Sequence, residues 1–218
     1  MITRLPLELA DTAVHGGLDW GPVSSWVVAI VTFLAVMVAL FGQRMWEHLR
    51  QPRLDITFDR AEPFCRKAPL TDGRQSYWVR VKVQNRGKDP ARACVGKLSE
   101  AYTAGRFRAN RDPVQLRWCG VPNDRGFAPV HLASTQYEFL NVFEVVQGDP
   151  RLWIVTHPAL LPGFGTFLEE NYEHLVEVSV FADNAEPKSE TLTVTYSGDF
   201  DALPDSLTVT LGNRMRRS

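Results

Sequence analysis

The segment YWVRVKVQN, residues 77–85, decides the class of fold that the sequence predicts. Its valines occupy every second position and are separated by polar side chains, in the order Val79, Arg80, Val81, Lys82 and Val83. A β-strand turns successive side chains to opposite faces, so this alternation gives one apolar face and one polar face. We therefore predict a strand that buries one face in an antiparallel sheet and exposes the other.

The same two-residue period recurs in other segments of the chain. They are LDITF at 54–58, VQLRW at 114–118, YEFLNVFEVV at 137–146, RLWIV at 151–155, HLVEVSVFA at 174–182, TLTVTY at 191–196 and SLTVTL at 206–211. Segments rich in Gly, Pro, Asp and Asn separate them and indicate turns. About nine short strands with no helix after Leu49 predict a mainly β domain over residues 53–212. A two-sheet antiparallel β-sandwich fits this pattern best, and a closed barrel is the alternative.

The N-terminal part of the chain contains a long apolar stretch. No charged residue occurs in residues 20–43, and an α-helix of that length spans the ~30 Å hydrocarbon core of a bilayer. The stretch lacks the polar face of a core helix and the small-residue cleavage site of a signal peptide. Tryptophans flank it like an aromatic belt, at Trp20, Trp26 and Trp46. We predict a transmembrane and juxtamembrane helix over residues 20–50, ended by Pro52.

The charges on either side of this helix predict its orientation. Arg4 is the only basic residue before the helix. Three arginines follow its apolar part: Arg44, Arg50 and Arg53. Because the more basic flank stays in the cytoplasm, we expect residues 1–19 to form a short extracytoplasmic tail. The β domain is then cytoplasmic, at the membrane of a bacterial or archaeal cell.

The cysteine content agrees with that side of the membrane. Cys65, Cys94 and Cys119 are odd in number, widely spaced and without a Cys-x-x-Cys pair. A secreted disulfide scaffold would carry an even and denser set. We therefore expect reduced thiols that are packed in the domain.

Small side chains form one stripe along the predicted helix. They recur every three or four residues, at Ser25, Ala29, Thr32, Ala35, Ala39 and Gly42. Such a stripe lets two transmembrane backbones approach closely, which predicts a homo-oligomer formed through the anchor. The alternative is a stripe that arises by chance, because small residues are common in membrane helices.

Charge is distributed unevenly along the β domain. Residues 54–125 contain 15 Lys and Arg against 8 Asp and Glu, whereas residues 126–213 contain 2 against 13. This asymmetry indicates either charged partners or charge pairing between interleaved strands. Residues 213–218 then form a basic tail.

Basic side chains predict contact with the headgroups of an anionic bilayer. They flank the anchor, lie in the segment TAGRFRANRD at 103–112, which we expect to be a loop, or belong to the tail. The residues are Arg44, Arg50, Arg53, Arg106, Arg108, Arg111, Arg214, Arg216 and Arg217. Arginine beside an aromatic residue also suits single-stranded nucleic acid, but the net charge of −1 favours lipid as the partner.

The sequence contains no motif that identifies a catalytic, cofactor or metal site. Its five histidines lack zinc spacings, and no Gly-x-Ser-x-Gly or complete phosphate-binding loop occurs. We therefore expect a protein that is not an enzyme and holds no cofactor. One alternative is an enzyme that uses scattered residues such as His131, Asp183 and Asp199. Another is a calcium-binding loop that contains Asp199, Asp201 and Asp205.

The segment VRVKVQNRGKDPARACVGKL, residues 79–98, also carries a family resemblance. A strand ending in Asn-x-Gly, a polar turn and a second strand resemble the hairpin of immunoglobulin-like modules. With PVQLRW and VSVFADNAEP, the chain looks like uncharacterised prokaryotic single-pass membrane proteins that have an immunoglobulin-like β-sandwich domain. The resemblance implies that fold and no transferable activity. In the turn we expect Gly87 to adopt a positive φ and Asn85 to bond back to the backbone.

Together, these patterns predict a membrane-tethered β-sandwich that acts as a non-catalytic interaction or sensing module for an unidentified protein partner. The alternative is an envelope or adhesion module with its domain outside the cytoplasm. The resemblance favours this alternative, because better-known proteins with such a hairpin act outside the cell.

Overall fold

The computed structural model of the protein describes residues 23–103, 106–108, 113–121, 125–156 and 167–212. The chain divides into two compact units, Met1–Glu47 and His48–Ser218. The first unit contains most of one helix, and the second contains all of the described strands.

Helix α1 spans Val23–Arg50. Its stretch Ser25–Gly42 has a mean hydropathy of 2.4, and none of that stretch is buried in the structure. The helix is therefore long and apolar enough to cross a membrane. Thr32 satisfies its hydroxyl within the helix, by donating to the carbonyl of Val28 at 2.8 Å. Pro52 follows the last turn and cannot continue the helix.

Fourteen strands follow in the described part of the second unit. They are β1 (Leu54–Thr57), β2 (Cys65–Pro69), β3 (Gln75–Asn85), β4 (Ala91–Thr103), β5 (Arg106–Arg108), β6 (Val114–Gln115), β7 (Arg117–Trp118), β8 (Val130–Leu132), β9 (Tyr137–Val146), β10 (Leu152–Ile154), β11 (Phe167–Leu168), β12 (Glu173–Ala182), β13 (Ala185–Tyr196) and β14 (Leu207–Gly212).

These strands form two antiparallel sheets. The first has the order β1-β3-β9-β10-β11, with β2 also paired to β3 and β7 to β9. The second has the order β14-β13-β12-β4-β5, with β6 and β8 also paired to β4. The predicted mainly β class is confirmed, with two antiparallel sheets and one N-terminal apolar helix. The described strands form two separate sheets rather than one closed barrel.

A single hydrophobic core lies between the sheets. The alternating valines of β3 are fully buried, and so are Val176, Val178 and Val180 of β12. Trp118 is also fully buried and is among the largest side chains of the core. Burying a valine-sized side chain contributes about 1.5–3 kcal/mol to the free energy of folding. The buried side chains of the alternating segments therefore supply a large apolar contribution to the packing of the two sheets.

The segment at 114–118 departs from the expected single strand. Val114–Gln115 pairs with β4 of the second sheet, whereas Arg117–Trp118 pairs with β9 of the first. Leu116 lies between them and donates its N–H to the carbonyl of Gly96 at 2.9 Å. The chain therefore passes from one sheet to the other inside one alternating segment.

The expected hairpin at 79–98 is wrong, because β3 and β4 belong to different sheets and do not pair. The turn between them is fixed by Asn85, whose side chain is fully buried. Its Oδ1 accepts from the N–H of Gly87 at 2.9 Å and of Arg53 at 3.1 Å. Its Nδ2 donates to the carbonyls of Asp89 at 2.8 Å and Leu132 at 3.1 Å. The expected bond from Asn85 back to the backbone is thus confirmed.

The same turn holds the residues that follow the helix. The N–H of Arg86 donates to the carbonyl of Arg53 at 2.7 Å, and the N–H of Asp89 donates to that of Arg50 at 2.8 Å. We call residues 50–53 and 85–89 the linker clamp. Apart from the ion pair between Arg50 and Asp89, its bonds join backbone groups to one another or to the neutral amide of Asn85.

Gly87 is required in the linker clamp for a different reason from the one expected. Its φ is not positive, unlike that of Gly73, Gly120, Gly148 and Gly198. A Cβ at position 87 would instead overlap backbone atoms of the linker and lie only 2.6 Å from the nitrogen of Arg53. The glycine therefore provides space for the close approach of two backbones.

We expect Gly87→Ala to lower the free energy of unfolding by about 1–3 kcal/mol, because the linker backbone must move to admit the methyl group. Gly212→Ala is the matched control. A Cβ there would meet its nearest atom at an ordinary 3.7 Å, so its effect should stay within about 0.5 kcal/mol. Urea denaturation of the detergent-solubilised chain, followed by tryptophan fluorescence, measures both. Equal stability of the two variants would contradict the close approach.

Candidate functional site

The predicted helix stripe lies on the surface of α1. Five of its members are exposed, namely Ser25, Ala29, Thr32, Ala35 and Ala39, and Gly42 is half-buried. Their spacing places them along one side of the helix. The large apolar residues on the other sides are also exposed, including Phe33 and Leu40. No residue of Ser25–Gly42 is buried by the part of the chain that the structure describes.

The predicted basic residues do not form one group. Arg50 forms an ion pair with Asp89 at 3.3 Å in the linker clamp, next to the exposed Arg53. Arg106 and Arg108 lie on strand β5 rather than in a loop, and β5 pairs with the last residues of β4. The first residue of β4, Ala91, lies beside the clamp. Thirteen strand residues span ~40 Å, so the two sets lie at opposite ends of the sandwich.

Five predicted arginines remain. Arg44 belongs to α1. Arg111, Arg214, Arg216 and Arg217 lie outside the described residues.

The residues proposed for scattered catalysis are divided between the same two ends. His131 accepts the N–H of Ala93 on Nδ1 at 3.2 Å, and Asp183 donates its N–H to the carbonyl of Arg92 at 3.0 Å. Both therefore lie at the start of β4, near the clamp. Asp199 lies three residues after the end of β13, at the opposite end of the sandwich. The structure does not assemble these three residues into one site.

His174 is a structural residue of the second sheet. It is 1% exposed, and its Nδ1 lies 2.9 Å from the hydroxyl of Thr103. Its Nε2 lies 2.8 Å from the carbonyl oxygen of Glu169. Both ring nitrogens are therefore engaged, which leaves this buried imidazole as a link between β12 and β4.

All three cysteines are free, as the sequence predicted. Burial raises the pKa of the Cys94 thiol to about 11, and burial is also the main cause of the raised pKa of Cys65. Cys119 is half-buried. Because the thiolate is the reactive form, Cys65 and Cys94 are protected both by burial and by their pKa.

An acidic pocket of about 470 Å³ lies at the end of the sandwich opposite the clamp. Three loops build it, namely those between β9 and β10, β11 and β12, and β13 and β14. Their carboxylates are Asp149, Glu170, Asp199 and Asp201, and Gly148, Pro150, Ser197, Gly198 and Phe200 complete the lining. Among the residues that the structure describes, no lysine or arginine lines the pocket.

Two of these carboxylates also organise their own loops. Asp149 accepts from the guanidinium of Arg151 and the indole N–H of Trp153, at 2.8 Å and 2.9 Å. The hydrogen bonds from Arg151 are the main cause that lowers the pKa of Asp149 to about 2. Asp199 accepts from the backbone N–H groups of Asp201 and Ala202 at 3.0 Å and 3.2 Å. Both loops therefore use an aspartate to fix the turn.

The calcium-binding loop suggested by the sequence is not assembled. Asp205 lines a different cavity, together with Cys65 and Tyr77. No three carboxylate, histidine or cysteine side chains of the described ranges are placed to hold a metal ion. The structure instead brings Glu170 and Asp149 to Asp199. Sequence reasoning missed this grouping, because the three loops are distant along the chain.

Comparison of the chain with protein-family models, curated proteins and solved structures gave no match. Function therefore has to follow from the geometry of the chain itself. The chain has an apolar helix, the linker clamp, and a sandwich with an acidic pocket at the end opposite the clamp.

The first sheet also presents aromatic side chains on its outer face. Val81 and Val83 point into the core, so Lys82 and its cross-strand partner Phe139 point outward. Phe139 makes edge-to-face contacts with Phe64 and with Tyr137, which is 49% exposed. The ammonium of Lys82 lies 4.2 Å from the centre of the Tyr137 ring. Aromatic groups in such a setting are typical of protein interfaces.

Thiol labelling tests the burial of the cysteines. We expect a maleimide at pH 7.5 to modify Cys119 of the folded chain within minutes, and Cys65 and Cys94 only after denaturation. Mass spectrometry of the labelled peptides measures the rates, and Cys119→Ser provides the control in which fast labelling disappears. Fast labelling of the Cys119→Ser variant would show that a buried thiol is accessible.

Proposed function

We propose that the protein is a single-pass membrane protein whose helix tethers an immunoglobulin-like β-sandwich, and that this domain is a non-catalytic interaction or sensing module on the cytoplasmic side. The observation that carries the proposal is the stretch Ser25–Gly42, which is apolar over eighteen residues and not buried by the rest of the described chain. Water solvates such a surface poorly, whereas a bilayer covers it completely.

The linker clamp supports a tether rather than a detachable leader. The backbone is hydrogen-bonded into the sandwich from Arg50 onward, and Asn85 contacts both the linker and strand β8. A segment intended for removal would not be expected to share the domain's buried hydrogen bonds. Removing residues 50–53 would leave the buried amide of Asn85 without one of its partners.

The outer face of the first sheet supports an interaction role. Tyr137 is 49% exposed and packs against Phe139, and aromatic side chains are enriched at protein interfaces. A protein interface needs no converging catalytic groups. His131 and Asp183 lie at one end of the domain, and Asp199 lies at the other. A binding role therefore fits the described geometry better than an enzymatic one.

The cytoplasmic side follows from charge and thiols. Arg44, Arg50 and Arg53 lie after the apolar stretch, against one arginine before it. Three unpaired cysteines agree with a reducing compartment. The second candidate is an envelope or adhesion module with the same architecture on the outer side.

Membrane extraction tests the tether. We expect the full chain to sediment with membranes and to be released by a mild detergent, but not by 1 M salt or alkaline carbonate, because apolar burial rather than charge would hold it there. The matched control lacks residues 1–47, keeps the linker clamp and should remain in the supernatant. Release of the intact chain by salt alone would show peripheral attachment.

Topology mapping separates the two sides. Single cysteines on a Cys65→Ser, Cys94→Ser, Cys119→Ser background would be placed at Thr12 before the helix and at Lys188 in the domain, whose side chain is 36% exposed. On intact cells, we expect a membrane-impermeant maleimide to label position 12 and to spare position 188 until the cells are lysed. The reverse pattern would support the envelope module.

A further inference from the structure

The outer face of the first sheet carries cations that no carboxylate of the described residues pairs with. The valines of β3 point into the core, so Arg80 and Lys82, which alternate with them, point outward. Arg66 of β2 lies on the same face, because it pairs with the outward Trp78. Within the described ranges, the ion pairs involve other arginines and lysines. These three side chains therefore retain their attraction for an anionic partner.

Aromatic side chains lie beside these cations. Trp78 is the cross-strand partner of Arg66, and Phe139 is that of Lys82. The ring of Phe139 meets that of Tyr137 edge-to-face, with 5.8 Å between their centres, and Tyr137 is 49% exposed. Tryptophan, tyrosine and arginine are the residues most enriched at the energetic centres of protein interfaces. The face therefore combines positive charge with apolar anchors.

The outer face of the second sheet has a different charge. The valines of β12 point into the core, so Glu177 points outward, opposite Glu100 of β4. Lys97 lies on this face with its ammonium 5.3 Å from the centre of the Phe181 ring. The net charge of −1 for the whole chain therefore conceals a difference between the two faces. This difference directs an anionic partner to the first sheet.

The surroundings of the rings favour an acidic polypeptide over a nucleic acid. A nucleic-acid base needs an open ring face on which to stack. The ammonium of Lys82 already lies 4.2 Å from the centre of the Tyr137 ring, and the guanidinium of Arg151 lies 4.6 Å from that of Trp153. Carboxylates need no ring face, because they accept from the N–H groups at the ends of cationic side chains.

We propose that the outer face of the first sheet binds an acidic segment of a protein partner. Its carboxylates pair with Arg66, Arg80 and Lys82, and its apolar side chains pack on Trp78 and Tyr137. Arg80 and Lys82 are about 6.8 Å apart along β3, so alternate residues of an extended segment can reach both. This inference rests on the interaction role proposed above and specifies the chemistry of the partner.

Fluorescence anisotropy with the full chain in an uncharged detergent tests the proposal. The probe is a fluorescein-labelled peptide in which Asp and Glu alternate with Phe. We expect saturable binding that weakens as salt rises, because the contacts are ionic. The same peptide with Asn and Gln in place of its acidic residues should bind about tenfold more weakly. Absence of saturable binding by the acidic peptide would overturn the proposal.

Charge variants locate the binding face. Arg80→Gln/Lys82→Gln should weaken binding of the acidic peptide about tenfold, because two cations of the proposed face are lost. The matched variant Arg92→Gln/Lys97→Gln removes two cations from β4 of the second sheet and should leave binding unchanged. Unchanged tryptophan fluorescence shows that each variant is folded. Equal weakening by the two variants would reveal general attraction to the chain and overturn the proposal.

The aromatic part of the face has a separate readout. Tyr137→Ala should weaken binding about fivefold, as is usual for an aromatic residue at the centre of an interface. Its salt dependence should stay that of the unmodified chain, because no charge is removed. Tyr137→Phe keeps the ring and should bind normally. An unchanged affinity in Tyr137→Ala would overturn the anchoring role of the rings.

Competition and sedimentation identify other occupants of the face. Displacement of the peptide by oligo(dT), or by glycerophosphoserine, at lower concentration than by unlabelled peptide would overturn the proposal in favour of nucleic acid or anionic lipid. Self-association of the chain that disappears in Arg80→Gln/Lys82→Gln would assign the face to a second copy instead. None of these outcomes depends on membrane extraction or topology, so failure of the tether and failure of this inference are distinguishable.

Discussion

The buried amide of Asn85 is the interaction on which the rest of the domain depends. It bonds to the linker at Arg53, to its own turn at Gly87 and Asp89, and to strand β8 at Leu132. It thereby fixes the point where the chain leaves the first sheet for the second. A carboxylate of the same shape would lose the two donated bonds, and a leucine would leave buried N–H and C=O groups unpaired.

The two ends of the sandwich differ in charge, because the loops around the acidic pocket all come from the acidic half of the sequence, residues 126–213. Strands from the two halves interleave, since β3 pairs with β9 and β4 with β12. The ion pairs Arg86–Asp55 and Arg151–Asp149 nevertheless join residues of the same half. Much of the acidic excess lies in loops, and those around Asp199 and Glu170 meet at the pocket.

The sequence predicts the parts of the fold that depend on neighbouring residues. The alternating segment at 137–146 coincides with β9, and the helix predicted over residues 20–50 contains α1. Pairing between distant strands is not encoded in a local period, so the sequence predicts a hairpin at Asn85 where the chain in fact passes between the two sheets. The positive φ predicted for Gly87 is wrong for the same reason, because the backbone that requires a small residue there comes from residues 51–53. The acidic pocket likewise combines loops that no spacing rule connects.

The segment at 114–118 constrains how the domain can lose its structure. Val114 is paired to the second sheet and Trp118 to the first, with only Leu116 fully buried between them. Neither sheet can separate from the other while both pairings persist. Slow opening motions that peel one sheet away are therefore suppressed, and amide protons in β4 and β9 should exchange together rather than sheet by sheet. The two sheets then behave as one cooperative unit.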